Sequence, residues 1–241
     1  MTSQALSAPA PFESDVIPAE LRELLERTAP VSLSVERVLP VLGPLEELLP
    51  HRGIPRGSVV EVRGASGASS VMLALVAGAS RSGSWVAFVG VPELGWQAAQ
   101  EQGVELSRVL CVPHAAQHWP MVVGALLDGA DVVVCGAGVV PTSAQMQNLR
   151  ARARERGAVL LGLDRRTSGP HRTDARRARP GCWASADLTI EVRTMTWRGT
   201  DAGSGMLQSR EIELVVGGRG GFSRPRSLRI AFDRSGALRT R

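Results

Sequence analysis

Apolar residues recur along this chain in two rhythms, short unbroken runs and longer stretches with helical spacing, and their alternation predicts the architecture. "SWVAFVG" (84–90), "RVLCVP" (108–113), "ADVVVCG" (130–136) and "GAVLLGL" (157–163) are aliphatic runs closed by glycine or proline, the pattern of buried parallel strands. The segments between them, "SSVMLALVAGAS", "GWQAAQEQG", "QHWPMVVGALLDG" and "SAQMQNLRARARERG", carry helical periodicity. An apolar start at "VLPVLGPLEELL", a turn over Gly53 to Gly57 and a valine-rich strand ending near Arg63 precede them. Strand and helix in alternation predict an α/β fold, a mostly parallel sheet with helices on both faces. From Leu188 the rhythm changes to period two in "LTIEVRTMTW", "REIELVVGG" and "RSLRIAFD", which predicts an antiparallel C-terminal extension of the sheet. At the other end "PAELRELLERTA" puts Leu21, Leu24 and Leu25 on one helical face, a short amphipathic helix that docks on its own domain or on a partner. The expected division is therefore a flexible N-terminus (1–41), an α/β core (42–187) and C-terminal antiparallel strands with a tail (188–241).

With 241 residues and 44% apolar side chains, the chain can bury one substantial core. It lacks both an uncharged apolar run of membrane-spanning length and a basic-then-apolar leader, so a cytoplasmic protein without membrane contact is expected. Cys111, Cys135 and Cys182 are odd in number and far apart, which predicts buried thiols and neither a disulfide framework nor a zinc site. His114 and His118 stand four apart, but with His51 and His171 they form no ligand pattern, so no metal or other cofactor is expected. A Ser-His-Asp arrangement has still less support, because "GASGAS" lacks the strand-elbow G-x-S-x-G setting before its helix. The formal charge is +5 and the sequence contains no lysine, so every basic residue is arginine. That bias runs through the whole composition, and placement matters more than the total.

The basic residues are densest in "RRTSGPHRTDARRARPGCW" (165–183), where Arg165, Arg166, Arg172, Arg176, Arg177 and Arg179 face a single aspartate, Asp174. The preceding helix adds Arg150, Arg152, Arg154 and Arg156, and the C-terminal strands add Arg219, Arg224 and Arg226. Such a surface either contacts nucleic-acid phosphates without reading bases or wraps an acidic partner. Both remain open at this level.

"VVEVRGASGASSVMLALVAG" (59–78) has the outline of a strand, a phosphate-cradling loop and a helix. Together with "GIPRGS", "WVAFVG", "GVELSRVLCVP", "ALLDGADVVVCG" and "RARERGAVLLGL", in that order and spacing, it resembles the RecA-type core from about Leu42 to Asp233. More narrowly, the short loop, "VPELGWQAA" and the ending "RSLRIAFDRSGALR" resemble the ImuA'-like RecA-related accessory proteins of the actinobacterial mutagenesis cassette.

A working phosphate loop needs a lysine for the β and γ phosphates and a hydroxyl for magnesium. With Gly67 aligned to the glycine before the lysine, Ala68 stands at the lysine position and Ser69 at the magnesium position, and the loop from Gly64 is short. Arg63 or Arg81 is no substitute, since a planar guanidinium does not replace an ammonium at the same place. The resemblance aligns Pro92 with the water-orienting glutamate, Glu93 being one residue out of phase, and Gly136 with the acid that supports magnesium. Three losses together predict a protein that is not an enzyme, because phosphoryl transfer depends on positioning and electrostatics. The loop would then survive as structure, with Gly64 and Gly67 making turns and Ser69 or Ser70 capping the helix.

The resemblance further implies a role in SOS-induced translesion synthesis. Its partners would be the inactive polymerase-like adapter ImuB and, through it, the error-prone polymerase and sliding clamp. Single-stranded DNA and RecA are further candidates, with recruitment to the nucleoid, and the arginine-rich segment 165–183 falls where RecA proteins carry a DNA-binding loop. Two other families stay in view: a DNA-dependent ATPase or recombinase with an atypical site, and the RecA-like cell-division inhibitors. Trp96 reads as a partner anchor or as internal packing.

Overall fold

The valine and leucine runs become strands because each is covered on both faces. β3 (Val59–Arg63), β4 (Val86–Val89), β6 (Val132–Cys135) and β7 (Val159–Asp164) are buried along almost their whole length. A computed structural model describes residues 38–49, 51–136, 141–164, 183, 186–199, 204–219, 223–234, 236 and 238–240. These belong to one unit, Arg37–Arg241. The remaining strands are β1 (Val38–Pro40), β2 (Gly53–Pro55), β5 (Val109–Val112), β8 (Leu188–Arg198), β9 (Ser209–Gly218), β10 (Arg226–Asp233) and β11 (Leu238–Thr240). Nine strands form one sheet in the order β11-β10-β9-β8-β3-β7-β6-β4-β5. The six from β8 to β5 run parallel, and β8 to β11 are antiparallel. β8 thus joins the two halves, parallel to β3 through Val60↔Leu188 and antiparallel to β9 through Ile190↔Val216.

Helices cover both faces of the parallel half. On one face lies α2 (Ala68–Arg81), buried on nearly every side. A helix apolar all round needs cover on its outer side as well, and here the β1–β2 hairpin and the short α1 (Gly43–Glu46) supply it through Leu39, Val41 and Leu45. The approach is close enough that a Cβ at Gly78 would stand 2.5 Å from Val41 Cα. α3 (Trp96–Glu101) adds Ala99 to the same layer. On the other face α4 (Trp119–Leu126) and α5 (Ser143–Arg156) pack Val123, Met146, Leu149 and Ala153 against Val133 and Leu160.

Three local expectations change. Gly53 to Pro55 is a strand of the β1–β2 hairpin, and the turn follows at Arg56 and Gly57. β5 is the edge of the sheet, so Leu110 is 39% exposed and Cys111 is an exposed thiol rather than a buried one. Cys135 is fully buried, and burial pushes its thiol pKa up. Among the described residues no helix is long and apolar enough to cross a membrane.

α5 begins with a reciprocal cap: Thr142 Oγ1 accepts the Gln145 N–H at 3.3 Å, and Gln145 Oε1 accepts the Thr142 N–H at 2.9 Å. It ends on Gly157 at φ +66°, a left-handed stop that suits glycine. Thr142→Ala is expected to cost about 1 kcal/mol, measured as a lowered urea midpoint with an unchanged slope.

Candidate functional site

The turn after β3 is shaped by glycines and by what presses on them. Gly64 donates its N–H to Asp164 O at 3.0 Å, and Gly67 takes φ +80° as the residue before α2. A Cβ at Gly64 would meet Val192 Cβ at 2.8 Å, and one at Gly67 would meet Ile212 Cδ1 at 3.0 Å and Met195 Sδ at 3.5 Å. Val192 and Met195 both face this turn because β8 carries a bulge between Val192 and Thr194, and a bulge inserts one extra residue, leaving two rather than one between side chains on the same face. Side chains of the C-terminal strands therefore stand against Gly64 and Gly67, while Ala65 and Ser66 stay exposed. What remains above the loop is a recess of about 250 Å³ lined by Ala65, Ser66, Val192 to Met195 and Trp197.

Ala68, at the lysine position, is 2% exposed and packed in the core. Ser69 and Ser70 lie inside the first turn of α2, and no side chain caps the helix; the expected serine cap is replaced by the backbone of Gly67. Ser70 Oγ accepts instead from Arg210 Nη1 at 3.2 Å, and the same guanidinium lies 5.2 Å from the Phe232 ring centre and 5.8 Å from that of Trp197. Arg210, beside the start of α2, is thus engaged by a hydroxyl and two rings.

Gly136 and the turn carrying Pro92 meet at the ends of β6 and β4. Gly136 N–H donates to Val89 O at 2.8 Å, and Gly90 N–H donates to Val112 O at 3.0 Å. The Gly90 carbonyl lies across Gly136, so that any Cβ there would collide with it and would also stand 2.9 Å from Val91 Cγ1. Gly136 has no room for a side chain. Pro92 and Glu93 project into solvent. Trp96 packs inward, its ring edge-on to Phe88 at 5.4 Å.

Sequence reasoning missed a group of charges toward the C-terminal ends of β3 and β7, next to the loop. Glu61 is fully buried, pairs through Oε2 with Arg63 Nη2 at 2.5 Å, and leaves Oε1 without a hydrogen bond. Asp164, 3% exposed, stands opposite Arg63 in the register. Burial raises the Glu61 pKa above its ordinary value, Arg63 opposes the shift and Asp164 adds to it. The signal was present, since an acid inside "VVEVR" two residues before an arginine shares its strand face. Beside them the fully buried Trp183 lies flat against Gly162, where a Cβ would enter the indole. No local pattern in an arginine-rich segment announces that.

The helix arginines are unequally engaged. Arg152 and Arg156 share Asp128, with Nε to Oδ1 distances of 2.9 and 3.1 Å, and hydrogen bonds from Arg152 hold the Asp128 carboxyl below its usual range. Arg150 pairs with Asp187, while Arg154 stands 3.9 Å from the same carboxylate. Arg165, Arg166, Arg172, Arg176, Arg177 and Arg179 lie outside the described residues, as do Leu21, Leu24 and Leu25. Among the described residues no group of His, Cys, Asp and Glu is arranged to hold a metal ion.

The family described as the MT3502 N-terminal domain matches residues 47–169, just over half of the chain. A protein of Mycobacterium tuberculosis (strain ATCC 25618 / H37Rv), named Uncharacterized protein Rv3395c, is 40% identical over 100 residues, which is 41% of this chain and 49% of that one. The chain spans about half the length of the curated relative it matches. The crystal structure of the RadB recombinase superposes with a TM-score of 0.57 at 19% identity, covering 81% of this chain and 95% of that chain. The architecture is therefore a RecA-like α/β fold, the fold that this recombinase also has.

Proposed function

We propose, for a chain that belongs to the MT3502 N-terminal domain family, the role of a non-catalytic RecA-like accessory protein that holds a polymerase-like adapter during translesion DNA synthesis. The observation that carries the non-catalytic half is the pair of positions without a charged side chain, Ala68 and Gly136, beside a crowded loop. Ala68 is buried where a phosphate-binding cation would stand, and Val192, Met195 and Ile212 press on Gly64 and Gly67. Gly136 lies under the Gly90 carbonyl where a magnesium-supporting acid would stand. A polyphosphate there would lack its neutralising charge, and backbone N–H groups alone, without a cation or a magnesium-supporting acid, leave the charge on the transferring group unbalanced. The adapter half rests on the resemblance in the order and spacing of "GASGASS", "VPELGWQAA" and the C-terminal "RSLRIAFDRSGALR".

Titration of magnesium-ATP into the full chain by calorimetry, with and without single-stranded DNA, is expected to give no saturable heat and no released phosphate. Micromolar binding with turnover would overturn the reading in favour of an atypical ATPase. Co-purification with the polymerase-like adapter tests the other half, and failure of the two proteins to associate at micromolar concentration would remove it.

A further inference from the structure

Opposite the phosphate loop, where the parallel strands begin, α5 and the end of β9 enclose a recess of about 480 Å³ lined by Arg150, Arg154, Arg219 and Asp187. Its one carboxylate is occupied. Asp187 Oδ2 accepts the Val59 N–H at 3.0 Å, and Oδ1 is held by Arg150. Arg154 reaches only to 3.9 Å of that oxygen and has a side chain 63% exposed. Arg219 forms no ion pair among the described residues, although its backbone N–H is fixed on Asp187 O at 2.9 Å. The recess thus holds two cations without a carboxylate of their own.

The frame around them is rigid. Gly218 brings β9 so near Asp187 that a Cβ would strike the Asp187 carbonyl, which seats Arg219 at the rim. Gly57, at φ +74°, holds α5 so close that a Cβ would stand 3.0 Å from Arg154 Cα. Across the same helix Arg152 and Arg156 share Asp128, as Arg150 and Arg154 share Asp187 on the recess side, and there Arg219 adds a third guanidinium to the single carboxylate. Beyond the rim, Arg226 pairs with Val216 in the β9–β10 register, and both Arg226 and Arg224 are exposed. They extend the exposed basic surface from the end of β9 to the start of β10.

We infer that this recess binds a phosphate group of a single-stranded nucleic-acid backbone, with Arg154 and Arg219 as its guanidinium donors and Arg224 and Arg226 along the path of the strand. Guanidinium forks match phosphate oxygens in pairs. A recess open to solvent and continued by further arginines suits an extended polyanion better than a single small anion, and it reads no bases. The site is independent of the crowded loop Gly64–Gly67 at the other end of the strands and needs no ATP.

Fluorescence anisotropy of a labelled oligo-dT with the full chain tests the site across a salt series. The double variant Arg154→Gln/Arg219→Gln is expected to weaken binding at least about tenfold and to lower the log–log salt slope by about 1.4, the share of two phosphate contacts on a single strand. Both side chains are at the surface, and an unchanged thermal midpoint separates lost contact from lost fold. Arg152→Gln, on the opposite side of α5 and paired with Asp128, is expected to leave the affinity within about twofold. Failure of the wild-type chain to bind oligo-dT at low salt, or equal binding by the double variant, would overturn the proposal. Tripolyphosphate is the second probe: binding of it without binding of oligo-dT would assign the recess to a free polyphosphate and overturn the nucleic-acid claim.

Discussion

Replacing Arg63 with methionine is expected to destabilise the protein by about 3 kcal/mol, more than any surface change in the described residues. The reason lies on β3. Glu61 is fully buried with one oxygen unpaired, and its charge is met by Arg63 at 2.5 Å. Removing the cation leaves an uncompensated carboxylate beside Asp164, which already raises the Glu61 pKa. Arg63 is itself about one-third exposed, with 31% of its side chain in contact with solvent, so water replaces part of what is lost and the cost falls at the low end of the usual range.

The pH dependence has a definite sign. The folded-state pKa of Glu61 lies above its ordinary value of 4.5. Between these values the folded protein keeps a proton that the unfolded chain has released, so stability falls as pH rises through the window and is level below it. In Arg63→Met the window extends further upward, because both lowering influences come from Arg63. Urea unfolding between about pH 5 and pH 8 should therefore show the deficit of the variant shrinking toward acid. The pair Glu61→Gln/Arg63→Met is expected to recover most of the loss, since exchanging both partners removes the orphaned charge. A deficit under about 1 kcal/mol that ignores pH would show that Glu61 is satisfied without Arg63.

These side chains also mark the boundary between what periodicity reveals and what it conceals. β3, β4, β6 and β7 were legible because burial on both faces demands uninterrupted aliphatic runs, and β8 to β10 because burial on one face demands alternation. The apolar run of β5 is of the same kind, yet it stands at the sheet edge with Leu110 and Cys111 exposed; sheet order is not a local property. The β1–β2 hairpin is written in only three residues a side, one of them proline on each, too short for any rhythm. Ala68, Pro92 and Gly136 were legible as departures from a motif, whereas their surroundings were not. The pressure of Val192, Met195 and Ile212 on the loop depends on a bulge some 130 residues away in the chain. Glu61 was visible as a charge in an apolar strand, but its orphaned oxygen and the stacking of Trp183 on Gly162 are purely tertiary facts.

Gly136→Asp, the substitution that would restore an acid to the end of β6, is expected to cost at least about 4 kcal/mol rather than to rebuild a metal site. A Cβ at this position collides with the Gly90 carbonyl, a backbone atom that no rotamer change can move aside, and also approaches Val91. Gly90 is in turn held by its N–H on Val112 O, and Gly136 by its N–H on Val89 O, so relief would require pulling β4 away from β5 or β6. The aspartate would also bring a charge to a buried position with no described cation bonded there. Thermal unfolding should show a much lowered midpoint or an insoluble chain, and Gly136→Ala should show a smaller loss of the same kind. Adding Ala68→Lys supplies the missing ammonium at a position 2% exposed against the core, which deepens the destabilisation and is expected to yield no magnesium-ATP binding. A Gly136→Asp protein as stable as wild type would show that the Gly90–Pro92 turn swings clear. The crowded loop would then be one state of a working site, and the accessory reading would give way to that of an ATPase.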